Sequence, residues 1–192
     1  IVTLGRDMLV LSLILTMVVA IMLGMGMPTP AAYAVAAAVL GPPLGRLGLE
    51  LIEAHLFIYY FACLAAITPP VAAAVFAATA ISRGRVLPTA GFAILLSLSL
   101  YLVPYLFVQD PVLLMQGNIG SIAVAFVTGA AGIGLLTVVT VGYFERAVPL
   151  AVRGACLFAA LALLLPDTLT DVIGAVAFAG LLALHLRARQ SA

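Results

Sequence analysis

Two short stretches hold most of the residues able to do chemistry. The first is Gly24-Met25-Gly26-Met27-Pro28-Thr29-Pro30 and the second is Thr68-Pro69-Pro70. Each interrupts an apolar run. Proline lacks a backbone N–H and disrupts the helical ladder, while Gly24 and Gly26 admit backbone angles that other residues avoid. Carbonyls freed near such breaks suit a hard cation such as Na⁺, which prefers oxygen. The Thr29 and Thr68 hydroxyls add two more oxygens. Helices beginning near Thr29 and Thr68 would also point free N–H groups and partial positive charge at an anion. Tyr33 stands four residues beyond Thr29 and either faces this site, or packs or sits near an interface.

The surroundings that must position these residues are apolar. Of the 192 residues, 66% are hydrophobic and 8% charged, against roughly 25% charge in a soluble domain. A chain of this size cannot hide so much apolar surface in its own core. Lipid covers the rest, which predicts an all-α membrane protein crossing the bilayer several times. The net charge of +1, with no basic run or zinc spacing, argues against nucleic acid. Cys63 and Cys156 lie far apart inside apolar runs and read as small hydrophobes. The chain opens on Ile1, not Met, and reads as a fragment of a longer protein.

Along the chain, Met8 to Leu23 and Ala31 to Leu40 flank the first break. At helical rise they reach only ~24 Å and ~15 Å. A re-entrant hairpin with its tip at the Gly/Pro break suits them better than two crossings. The stretch from Leu49 to Ile81 is a helix broken at Thr68-Pro69-Pro70. About four spans follow: Thr89 to Val108 without interruption, Ile119 to Phe144, Val148 to Leu165, and Val172 to Leu186. Arg83, Arg85, Arg146, Arg153, Arg187 and Arg189 gather on one side of these spans, with Glu145, and Asp110, Asp167 and Asp171 on the other. The positive-inside rule assigns the arginines to the cytoplasm. Arg46, Glu50, Glu53 and His55 then fall near the outer surface.

Irregular backbone survives at membrane depth only inside protein or beside a water-filled cavity. A single proline in a membrane helix is ordinarily a kink. Two proline-doubled breaks about 40 residues apart, each with a threonine, point instead to a transporter site near the midplane. The candidate site residues are Gly24, Gly26, Pro28, Thr29, Tyr33, Thr68, Pro69 and Pro70, with Thr29 and Thr68 as Na⁺ ligands. Neither break carries an arginine to clamp a carboxylate, so anion recognition would fall to backbone and threonine groups.

Other readings are weaker. An intramembrane enzyme needs a nucleophile and a base at depth, yet Ser97, Ser99 and Ser121 have no evident partner and a GxSxG pattern is missing. A scaffold subunit would not need two broken segments, and no filter-like repeat suggests a channel. His55 reads as interfacial or packed rather than as a proton relay, and His185 as an anchor. Arg153 at the start of a span would snorkel to the headgroups. Gly129 to Gly134, with Ala130 and Gly134 four apart, reads as a small-residue packing face.

Gly24 to Tyr33 (GMGMPTPAAY), His55-Leu56-Phe57 and Ala66-Ile67-Thr68-Pro69-Pro70-Val71 resemble the large permease subunit of the TRAP (tripartite ATP-independent periplasmic) transporters. The likeness is to fused permeases of the TAXI type, whose small and large membrane subunits share one chain. It covers Met8 to Leu114, and the spans after Asn118 look like the C-terminal extension of those fusions. Residues 1–114 would then be the C-terminal half of the transport domain and 115–192 the extension. Pro30 stands where the family commonly has a second Thr, and Ala72 where related subunits often have Gly.

The resemblance implies a secondary carrier of elevator type, without an organic cofactor, that uses Na⁺ as coupling ion. It implies uptake of organic anions, such as carboxylates, delivered by a periplasmic substrate-binding protein of the TAXI type. The other partners would be the N-terminal remainder of the permease and the lipid bilayer. The location would be the cytoplasmic (inner) membrane of a bacterium or archaeon.

Overall fold

The computed structural model describes residues 2–144, 146–165, 170 and 172–180. Side chains are described from Leu9 onward within these ranges, except that of Arg146. The architecture is all-α, and the chain divides into two compact units, Ile1–Val108 and Gln109–Ala192.

The first unit opens with a helical hairpin. Helix α1 (Val2–Gly24) and helix α2 (Thr29–Arg46) pack against each other and against α3 (Leu51–Leu64). The hairpin turns at Met25–Pro28, at the first break. Both arms are longer than the apolar runs suggested. With 23 and 18 residues, they measure ~34 Å and ~27 Å at helical rise. Helix α2 runs through Gly41-Pro42-Pro43 instead of ending there. The two prolines lie on its exposed side, while Leu40 and Leu44 are buried on the other. Packing of that inner face outweighs the hydrogen bonds the prolines remove.

Phe57, Ile58 and Phe61 of α3 are fully buried and form the centre of this unit with Leu13, Ala20, Ala36 and Leu44. Helix α3 starts at a capping box, in which the Glu53 carboxylate accepts the Glu50 N–H at 3.0 Å. This explains why Glu53 is only 7% exposed without being stranded. After the second break come α4 (Ala73–Ser82), α5 (Val86–Leu96) and α6 (Leu98–Gln109).

Helices α5 and α6 make one apolar segment, Val86–Gln109, long enough to cross a bilayer. The uninterrupted span expected there has a joint at Ser97, whose N–H is shared between the carbonyls of Ala93 and Ile94. Further along, Pro104 lies inside α6 and removes the N–H that would reach the Leu100 carbonyl. Leu87, Phe92 and Leu96 of this segment are exposed, as a lipid-facing surface requires.

In the second unit, Asp110 caps a 3-10 turn at Pro111–Leu114 by accepting the Val112 N–H at 3.0 Å. Asn118 caps α7 (Ile119–Val141) by accepting the Ser121 N–H at 2.9 Å. Helix α7 is a second segment long and apolar enough to span. It packs on α8 (Leu150–Leu164). A short antiparallel ladder joins them, pairing Tyr143–Phe144 with Arg146–Ala147.

The small-residue face of α7 is centred on Gly132. A Cβ built there would lie 2.9 Å from Leu164 Cγ and 3.3 Å from the Ala160 carbonyl oxygen. Of the pair expected to form that face, Ala130 is exposed and Gly134 has open space around it.

Arg153 departs from expectation as well. Its Nε donates to the Val139 carbonyl at 3.0 Å, so it closes the C-terminal end of α7, where a cation is favoured. Residues 172–180 are helical. The remainder of that last span lies outside the described residues, as do Glu145, Asp167, Asp171, His185, Arg187 and Arg189.

Candidate ion and substrate site

The first break lies against the residues that flank the second. Gly24, the last residue of α1, is buried against the end of α3. A Cβ built on it would stand 2.8 Å from the Ala65 Cβ and 3.0 Å from the Ala62 carbonyl oxygen. Only glycine permits this approach. Gly26 sits at φ +76, a left-handed angle, and a Cβ there would meet Val71 Cγ1 at 3.8 Å. The hairpin turn therefore lies against both sides of the Thr68-Pro69-Pro70 segment.

Each break has its own hydrogen-bond account. In the first, Met25 N–H reaches the Met22 carbonyl and Met27 N–H the Gly24 carbonyl, both at 3.4 Å. Pro28 caps α2, so Thr29 and Pro30 are its first two helical residues, and Thr29 is half-buried. Among the described residues the Thr29 hydroxyl has no hydrogen-bond partner. The backbone carbonyls of Met25, Gly26 and Met27 are likewise unpaired within the described structure. The expected helix start at Thr29 is where α2 begins.

The second break is a run of turns, not a clean gap between two helices. Ala65, Ala66, Ile67 and Thr68 donate in succession to the carbonyls of Phe61, Cys63, Leu64 and Ala65. Pro69 and Pro70, joined by a cis peptide bond, interrupt the series. Ala72 N–H then returns to the Thr68 carbonyl at 3.2 Å, and Ala74 N–H to the Ala66 carbonyl at 3.0 Å.

Helix α4 accordingly starts at Ala73 and not near Thr68. Its first turn spends most of its N–H groups on Ala66 and Ala72 carbonyls, which removes the anion-facing role expected of a helix start at Thr68. What the segment leaves unpaired among the described residues are the carbonyls of Ile67, Pro69 and Pro70. The result is a segment richer in acceptors than in donors. Ala72 holds φ 42, ψ 52 as the residue before α4, a left-handed conformation that costs a residue with a Cβ roughly 1–2 kcal/mol.

Thr68 is held by two hydrogen bonds. Its Oγ1 lies 2.7 Å from the Leu64 carbonyl oxygen and 2.7 Å from the Tyr101 hydroxyl. Tyr101 belongs to α6 and carries no signal in the sequence, where it resembles any tyrosine of an apolar span. Tyr105, one turn on, stacks edge-on against Phe57 and Phe61 and donates to Met17 Sδ at 3.3 Å.

Tyr33 turns toward α3. Its hydroxyl is 2.7 Å from His55 Nδ1, and its ring meets Tyr59 edge-on at 5.6 Å. The pair Tyr33–His55 braces α2 to α3, which accounts for both residues by packing. Met27, Pro28 and Pro70 are exposed, and Pro69 is half-buried.

Among the described residues no cluster of three or more His, Cys, Asp or Glu could hold a metal ion. Any cation here would be held by neutral oxygens, a donor set that suits Na⁺ and not a transition metal.

Apolar hairpin, broken helix and two segments long and apolar enough to cross a bilayer fit an α-helical membrane protein. Residues 1–122 match the family described as "Tripartite ATP-independent periplasmic transporter, DctM component". The chain belongs to this family, that of the large permease component of TRAP transporters, and is a membrane protein. No curated protein and no solved structure matches the chain.

Proposed function

We propose that this chain forms the ion- and substrate-binding part of a secondary carrier that uses a Na⁺ gradient to import organic anions, with carboxylates the fitting class. Its partners in this reading are a periplasmic binding protein of the TAXI type, which delivers substrate, and the N-terminal remainder of the permease. The chain would cross the cytoplasmic membrane several times, with Arg83, Arg85 and Arg146 inside and Asp110 outside. One observation supports the reading: Gly24 is packed on Ala62 and Ala65, and Gly26 lies beside Val71, so the first break lies against the residues that flank Thr68-Pro69-Pro70. The unpaired carbonyls of both breaks and the Thr29 and Thr68 hydroxyls supply neutral oxygens for Na⁺. The first turn of α2, with positive potential at its start, favours an anion beside it.

The test is uptake by the full-length permease in proteoliposomes, with its binding protein, titrated with sodium. Thr68→Val and Thr29→Val each keep shape and remove an oxygen. Loss of one neutral ligand costs about 1 kcal/mol by analogy with a hydrogen bond, or about a fivefold rise in half-saturating sodium. If the double variant shows unchanged sodium dependence, the assignment fails.

A further inference from the structure

The Thr68 hydroxyl has one proton and two neighbours at 2.7 Å. The Leu64 carbonyl can only accept, so the Thr68 proton goes there. Tyr101 must then be the donor to Thr68 Oγ1. The three groups form a directed chain, in which Tyr101 O–H donates to Thr68 and Thr68 O–H donates to the Leu64 carbonyl. Two bonds fix the hydroxyl rotor of Thr68 and leave one lone pair of Oγ1 in a set direction. The Tyr101 ring is itself held, tilted against Phe61 with centroids 6.3 Å apart. Tyr101 comes from α6, 33 residues along the chain from Thr68. The orientation of an oxygen in the second break therefore depends on a separate helix.

We infer that Tyr101 is a positioning residue for the ion site: its hydroxyl orients Thr68 Oγ1 for the cation, and so sets sodium affinity without touching the ion. This rests on the sodium reading of the two breaks. A freely turning hydroxyl must be ordered when the ion arrives, whereas one already held is ordered in advance. Removing the Tyr101 hydroxyl loosens the Thr68 rotor while keeping the ring and its packing.

The experiment is a double-variant cycle on the full-length permease in proteoliposomes, reading half-saturating sodium and maximal uptake separately. Tyr101→Phe is expected to raise half-saturating sodium about twofold to tenfold, the range of one hydrogen bond, with maximal uptake retained at saturating sodium. In the Thr68→Val background the same change should have no further effect, since there is no hydroxyl left to orient. In the Thr68→Ser background it should keep its effect. Tyr105→Phe, which removes the neighbouring hydroxyl from the same aromatic cluster, should leave sodium affinity alone. A purely structural role for Tyr101 would lower maximal uptake or act equally in all backgrounds, and either result overturns the inference. If Thr68→Val raises half-saturating sodium but Tyr101→Phe does not, the inference falls and the sodium reading stands. If Thr68→Val itself has no effect, the inference falls, and the sodium reading falls with it if the Thr29→Val/Thr68→Val double variant is also unchanged.

Discussion

Gly24→Ala adds one methyl where the end of α1 meets the end of α3, just before the second break. Its Cβ would sit 2.8 Å from the Ala65 Cβ, 3.0 Å from the Ala62 carbonyl oxygen and 3.4 Å from the Ala62 Cα. Carbon atoms prefer a separation of about 3.5–4.0 Å, so the hairpin turn must retreat from Ala65 by about 1 Å. No flexible side chain stands there to yield, because the neighbours are an alanine methyl and helical backbone. Overpacking of this kind costs about 1–3 kcal/mol. The same retreat carries Met25 to Thr29 away from the second break. We therefore predict two linked effects: a lower unfolding temperature of the detergent-solubilised permease and a rise in half-saturating sodium for uptake. Adding Ala65→Gly removes the tighter of the two clashes and should recover part of both losses. The Ala62 carbonyl contact persists, so recovery should be incomplete. Unchanged stability and sodium affinity in Gly24→Ala would refute the contact reasoning. Losses that Ala65→Gly does not relieve would refute its geometry.

Two further outcomes are expected. Ala72→Gly should be neutral to stabilising by up to about 1 kcal/mol, because relief of the left-handed backbone (roughly 1–2 kcal/mol) exceeds the burial of one methyl (about 0.8 kcal/mol); clear destabilisation in a thermal melt counts against this. For topology, Asp110→Cys and Arg146→Cys, each with Cys63 and Cys156 replaced by alanine, should react with an impermeant thiol reagent from opposite faces of the membrane. Labelling from one face would contradict the arrangement.

The breaks were legible in the sequence because Gly and Pro announce themselves locally. The first falls at Met25–Pro28, and α2 begins at Thr29 as expected. What proline does next depends on packing, and there the sequence misleads. The apolar run of α2 ends at Leu40, before two prolines, yet buried Leu40 and Leu44 carry the helix past Pro42 and Pro43 to Arg46. Thr68 read as a helix start, yet successive turn hydrogen bonds delay α4 to Ala73. Tyr101 could not be singled out, because its partner is 33 residues away and its surroundings in sequence are those of a lipid-facing span. Arg153 reads from composition as an interfacial anchor, and only the fold brings the Val139 carbonyl to it. Local chemistry was visible, but pairings across helices were not.

The adjacent prolines of the second break have a consequence for solvation. Neither can donate, so the segment Ile67–Pro70 presents oxygens that its own backbone cannot satisfy by refolding on itself. In apolar surroundings such oxygens must be met by donors from other protein, by water or by a cation. On the sodium reading, the ion-free segment would be hydrated, with water in the place a cation would take. Arrival of the ion would then expel that water, and its release offsets part of the cost of stripping the ion of its own shell. Affinity at such a place would respond to osmotic stress as well as to sodium, because the empty state holds more water than the filled one.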